Sequence, residues 1–151
     1  MKYTGPLFIW KDGAVIEDLI IVAEPTTEFD RTQDYALKIV ANNVTIRNVI
    51  IYHPANGMGI FGWYCHNLTI ENVEIHTYGN PWGAQPCPRR RPFSGFECTN
   101  MRIYYSENVV LRNVLAEGGS RGISLRSCHG AQLYGVVGKN SRGPFPGGSV
   151  I

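Results

Sequence analysis

Apolar residues in the middle of this chain fall at alternate positions, skip one, and resume, with asparagine at fixed places between them. The pattern is clearest in Asn43-Val44-Thr45-Ile46-Arg47-Asn48-Val49-Ile50-Ile51 and in Asn67-Leu68-Thr69-Ile70-Glu71-Asn72-Val73-Glu74-Ile75, which lie 24 residues apart. The same frame recurs upstream at Gly13–Ile21 and downstream at Asn108–Ala116 and, in worn form, at Gly130–Gly138. A period in the twenties that fills a chain predicts a solenoid of stacked coils and not a domain built round one central sheet.

Period two along each copy places Val44, Ile46, Val49 and Ile51 inside, with Leu68, Ile70, Val73, Ile75 and Val109, Leu111, Val114, Ala116 as their equivalents. The step of three between Ile46 and Val49 predicts a bend at Asn48. Before each copy runs another apolar segment ending in a small residue: Ala36–Ala41, Gly59–Cys65, Met101–Ser106 and Gly122–Cys128. Each coil should then hold about three short strands separated by corners, and no segment carries a helical period. Gly5–Trp10 reads as one short strand ahead of the first coil. Coils stacked about 4.8 Å apart bring like asparagines together. A buried hydrogen-bonded ladder is therefore expected at Asn48, Asn72 and Asn113 above Asp18, with a second at Asn43, Asn67 and Asn108.

The expected fold class is all-β: a right-handed parallel β-helix solenoid of about five coils, filling one domain over residues 1–151, with one long loop insertion at about 77–97. The prevailing right-handed crossover between parallel strands supports the handedness. The last residues, Ser149-Val150-Ile151, read as the start of a strand with no polar cap, so the chain is expected to be a piece of a longer solenoid or to stack through an open end, including on a second copy.

Composition sharpens this picture. Hydrophobic residues make up 44% and charged residues 17%, which suits a continuous core and excludes disorder. No apolar run is long enough to span a membrane and no secretory signal opens the chain. The net charge of +2 is small and dispersed apart from Arg89-Arg90-Arg91, so nucleic acid is not the expected partner. The four cysteines have no zinc-like spacing, and no metal or cofactor is expected. Cys65 and Cys128 hold equivalent places and should point inward as separate thiols, whereas Cys87 and Cys98 flank the insertion and are the one plausible pair.

The Asn-Val-Thr-Ile-Arg-Asn-Val and Asn-Leu-Thr-Ile-Glu-Asn-Val coils resemble the right-handed parallel β-helix (pectin-lyase-like) superfamily over residues 13–151. The superfamily includes polysaccharide lyases, polygalacturonases and phage tailspikes. A leucine-rich repeat would need its own frame and a helical return segment, and neither is present. The resemblance implies a carbohydrate-interacting protein acting on an acidic polysaccharide, as part of a lyase or a tailspike-like protein, and an extracellular or virion-surface setting. The alternative is a non-catalytic structural or virion-surface β-helix.

Polygalacturonase-like hydrolases carry clustered aspartates, but Asp12, Asp18, Asp30 and Asp34 all precede the regular coils, so β-elimination is expected over hydrolysis. The elimination needs a cation against the uronate carboxylate and a base for the C5 proton. Counting just past the consensus strands gives His53, His76, Glu117 and Lys139 as one column, near Arg121 and Arg142. The catalytic candidates are thus His53, His76, Lys139 and Arg142. The substrate-binding candidates are Trp82, Arg89, Arg90 and Arg91 in the insertion, together with Arg121, an aromatic ring to stack on sugar and guanidinium groups to hold the anion. The column Glu17, Arg47, Glu71, Arg112 alternates in sign and is assigned to surface ion pairing.

Overall fold

A computed structural model of the chain describes residues 1–23, 35–54, 57–78, 99–119 and 121–141. Among these residues there are eleven strands and no helix: β1 Lys2–Gly5, β2 Leu7–Ile9, β3 Val15–Ala23, β4 Tyr35–Ile39, β5 Thr45–Pro54, β6 Met58–Trp63, β7 Thr69–Tyr78, β8 Thr99–Tyr104, β9 Val110–Glu117, β10 Arg121–Arg126 and β11 Gln132–Lys139. Odd-numbered strands form one six-stranded sheet in the order β1-β3-β5-β7-β9-β11, and even-numbered strands form a five-stranded sheet in the order β10-β8-β6-β4-β2. Every pairing between them is parallel. The chain therefore visits the two sheets in turn, as a β-helix or solenoid does. The first is called here the asparagine sheet and the second the aromatic sheet.

The expected inward set is the core. Val44, Ile46, Val49, Ile51, Leu68, Ile70, Val73, Ile75, Val109, Leu111 and Ala116 are fully buried, and Leu37, Ile39, Ile60, Met101, Ile103 and Ile123 meet them from the aromatic sheet. Registers link like with like: Ile46 pairs with Ile70 and Val49 with Val73, then Ile70 with Leu111 and Val73 with Val114. Each rung covers the apolar face of the next, which is the only burial a rung can obtain.

Two expectations about the strands are corrected. The asparagine sheet carries single strands of up to ten residues, not pairs of short ones, because the skip at Asn48 is one residue in the left-handed region (φ 53°) that bends the strand while hydrogen-bonded pairing resumes beyond it. Gly5–Trp10 is not one strand either. Pro6 has no N–H to give and separates β1, in the asparagine sheet, from β2, in the aromatic sheet.

The asparagine ladders form, but on the exposed surface and not in the interior. Asn48 Nδ2 donates to Asp18 Oδ1 at 3.1 Å, Asn72 to Asn48 at 3.2 Å and Asn113 to Asn72 at 3.2 Å. In the second ladder Asn67 donates to Asn43 at 2.9 Å and Asn108 to Asn67 at 3.2 Å. Every one of these residues has φ between 50° and 57°. Asparagine is among the few side chains that tolerate this region, so the repeat selects it first for backbone geometry. Glycine replaces it at the ends of the columns, as Gly13 (φ 77°), Gly130 (φ 70°) and Gly135 (φ 60°).

Two residues ahead of the second ladder, Ala41, Cys65 and Ser106 are buried in succession, with Cys128 half-buried beyond them. The Cys65 backbone N–H donates to Ser106 Oγ at 2.9 Å, and its thiol reaches the Ile39 carbonyl at 3.0 Å. Burial pushes the Cys65 thiol up to about 11. Cys65 and Cys128 are both free, one rung on either side of Ser106, as the repeat requires. Cys87 and Cys98 lie outside the described residues.

Candidate functional site

The asparagine sheet assembles most of the expected column, with one member exchanged. Register runs Val22, Tyr52, His76, Glu117, Lys139 across β3, β5, β7, β9 and β11. Tyr52, not His53, stands beside His76, and their rings stack at 5.4 Å. His53 is the next residue along β5, so its side chain turns inward and is fully buried. Three basic groups of this face lie against carboxylates: His76 Nε2 is 3.0 Å from Glu74, Lys139 Nζ 3.1 Å from Glu117, and Arg47 2.6 Å from Glu17, while the Arg112 guanidinium lies over the Tyr134 ring at 5.5 Å. The Arg47–Glu17 contact begins the alternating column that continues through Glu71 and Arg112. A tyrosine, an imidazole and an ammonium thus share one line across successive rungs, a set able to move a proton, with Glu74 against the imidazole and Glu117 against the ammonium.

Arg121 opens β10, in the other sheet, paired with Thr99. It follows Glu117 closely in the chain but belongs to a different face from Lys139. Trp82, Arg89, Arg90, Arg91 and Arg142 lie outside the described residues, as does most of the insertion.

His53 instead forms a buried polar cluster where the two sheets meet. Its Nδ1 is 3.0 Å from the Pro54 carbonyl, while its Nε2 is 2.8 Å from Asn100 Oδ1 and 2.9 Å from Thr77 Oγ. Thr77 also donates to Asn100 Oδ1 at 2.8 Å, and Asn100 Nδ2 donates to the Gly118 carbonyl at 2.8 Å. Desolvation pushes the imidazole down to about 4, against the hydrogen bonds that favour its charged form. Gly59 leaves room for the cluster, since a Cβ there would meet the Asn100 carbonyl oxygen at 2.4 Å and Ile75 at 2.5 Å. The ring is thus fully buried, with both nitrogens against protein groups that tie β5, β7 and β8 together.

The second face was not anticipated. Outward positions of the aromatic sheet form two rows by register: Phe8, Lys38, Phe61 and Arg102, ending on the buried Ser124; then, one step further along, Trp63, Tyr104 and Arg126 with the exposed Trp10 and Val40 ahead of them. The rings touch one another, with Phe61 5.7 Å from Trp63 and 6.3 Å from Tyr104, and Trp63 6.1 Å from Tyr104. Lys38 Nζ sits within 5.4 to 5.9 Å of the Phe8, Tyr35 and Phe61 rings. Arg102 and Arg126 both lie over Tyr104, at 5.4 and 5.8 Å. The strands β2, β4, β6, β8 and β10 contain Lys38, Arg102, Arg121 and Arg126 but no aspartate or glutamate.

Just past these strands, Tyr64 (φ 52°) and Tyr105 (φ 53°) occupy the left-handed region and stack at 5.2 Å with 21° between their planes. A bulky residue there costs about 1 kcal/mol or more that glycine would not, and such strain gathers where a side chain is used. The signal for this face was in the sequence: period two applied to Phe61/Trp63 and Arg102/Tyr104 puts these side chains outside together. Among the described residues no group of His, Cys, Asp or Glu is placed to hold a metal ion. No protein-family model, curated protein or solved structure matches this chain.

Proposed function

We propose that this protein is a right-handed parallel β-helix of about five coils that binds an acidic polysaccharide along the outer face of its aromatic sheet. The observation that carries the reading is the union on one exposed surface of Phe8, Trp10, Phe61, Trp63, Tyr104 and Tyr105 with Lys38, Arg102 and Arg126, and no acidic residue in its strands. Aromatic faces cover the apolar face of a sugar ring, and guanidinium and ammonium groups meet its carboxylate or sulfate. An extracellular or virion-surface setting, with a role as part of a tailspike-like or glycan-degrading protein, follows from that ligand. The test is retention of the chain on immobilised pectate, alginate, chondroitin and heparin beside a neutral glycan. Binding to at least one acidic glycan, weakened about tenfold, the equivalent of 1.4 kcal/mol, in Trp63→Ala, supports the reading. Absence of retention on every acidic glycan leaves the rigid structural β-helix in its place.

A second reading rests on the Tyr52–His76–Glu117–Lys139 column. There His76 would take the C5 proton of a uronate and Lys139 would face its carboxylate, giving β-elimination. Ultraviolet absorbance of the unsaturated product, lost in His76→Ala, is its signature. No absorbance with any acidic glycan removes lyase chemistry and leaves binding.

A further inference from the structure

The cations of the aromatic face are not evenly spread, and their spacing bears on the ligand. Counted along the stack, β2 presents Phe8 with Trp10 beyond it, β4 presents Lys38, β6 presents only Phe61 and Trp63, β8 presents Arg102 with Tyr104, and β10, whose Ser124 is buried, presents Arg126 over Tyr104. Lys38, Phe61 and Arg102 are successive partners in register, so an all-aromatic rung separates two cationic ones. Neighbouring strands lie about 4.8 Å apart, which places Lys38 and Arg102 on rungs about 9.6 Å apart. A pyranose unit in an extended chain advances by nearly one such rung.

Resting on the acidic-glycan reading above, we infer that the ligand is a linear polysaccharide with its negative charge on alternate sugars, lying across the strands along the stack axis. One sugar of each pair stacks on Phe61 and Trp63, and its charged neighbours meet Lys38 on one side and Arg102 on the other. A polymer charged at every unit would set an anion on the all-aromatic β6 rung, where desolvation without a partner is unfavourable. The same argument disfavours single-stranded nucleic acid, which carries a phosphate at each nucleotide. It also explains why the face mixes cation and ring within each row and does not form a continuous basic stripe.

The experiment is titration of the intact chain with a hyaluronan octasaccharide, whose carboxylates alternate, an oligogalacturonate of equal length, charged on each sugar, a neutral cello-oligosaccharide and oligo-dT. The hyaluronan fragment should bind at least about tenfold more tightly than any other probe. Lys38→Gln and Arg102→Gln should each weaken it several-fold, and Arg126→Gln, on the rung of an uncharged sugar, should weaken it less, while thermal melting of Lys38→Gln stays near that of the parent chain. The Lys38 contribution should shrink for oligosaccharides too short to span the β4 and β8 rungs. Equal or tighter binding of oligogalacturonate overturns the alternate-charge inference while the acidic-glycan reading survives. Tighter binding of oligo-dT, or binding of none of the sugars, overturns both.

Discussion

Both sheets close over the same apolar interior, yet their outer faces handle charge in opposite ways. On the asparagine sheet Arg47, His76 and Lys139 each rest against a carboxylate of their own face, at 2.6, 3.0 and 3.1 Å, and Arg112 lies over Tyr134. On the aromatic sheet Lys38, Arg102 and Arg126 rest over rings. A ring attracts a cation by its quadrupole without cancelling its charge, and the strands of the second sheet contain no aspartate or glutamate. Both faces obey the same alternation and the same register, so the difference is one of side-chain choice. On the reading proposed above, a face whose charges lie on rings offers them to an anionic ligand.

The interior shared by the sheets offers the largest effect. Val73→Asp places a carboxylate at a fully buried position between Val49 and Val114. It should cost several kcal/mol, with loss of the cooperative thermal transition in circular dichroism. Ile103→Asp should do the same from the other sheet, and unequal outcomes would show that the two sheets do not share one core.

Next in size is the joint at His53. Its folded value of about 4 lies below the ordinary 6.5, so between these values the unfolded chain binds the proton and the folded chain does not. Stability from this group is complete above pH 6.5 and is lost as pH falls toward 4. At about 1.4 kcal/mol for each tenfold change in proton affinity, the loss is about 3 kcal/mol. Urea unfolding at a series of pH values measures it, and His53→Gln should flatten the slope in that window. A slope unchanged in the variant would assign the acid sensitivity elsewhere.

Smaller effects separate the asparagine columns from their neighbours. Asn72→Ala retains φ 52° at a residue that disfavours it and removes two ladder bonds, and should cost about 1 to 2 kcal/mol, whereas Asn72→Gly should cost less. Equal costs would mean the ladder outweighs the backbone. Smallest is Arg47→Gln: its guanidinium, raised above its ordinary value by the hydrogen bond to Glu17, is exposed to solvent, and the thermal midpoint should barely move. A binding loss from Arg47→Gln matching that from Arg126→Gln would erase the distinction between the faces.

The core was legible because burial imposes period two and stacking imposes a common period, and both are written in Val44/Leu68/Val109 and their successors. The bend was legible at Asn48, but a left-handed residue can turn a strand without ending its pairing, so one long strand read as two short ones. That same conformation carries the side chain outward, which is why the ladder is exposed. His53 was assigned to the outer column by counting forward from the strand start. Register beyond Val49 instead pairs Tyr52 with His76 and sends His53 inward beside Asn100 and Thr77, partners far away in sequence. The aromatic face was missed since attention followed the asparagine repeat, while Phe61, Trp63, Arg102 and Tyr104 lie in the segments between its copies.

The 24-residue offset that lets Asn67 donate to Asn43 and Asn72 to Asn48 has a consequence for how such a chain can change. A stretch of that length contains one strand of each sheet, one of each left-handed corner and a complete set of donors and acceptors facing both neighbours. A tandem copy of it would meet, above and below, the same hydrogen-bonding partners that the original meets. Growth by duplication therefore lengthens the molecule without redesigning a corner or a core, and with each added unit the aromatic face gains one more step. The length of that face becomes a countable property of the gene, altered in whole increments and never by fractions.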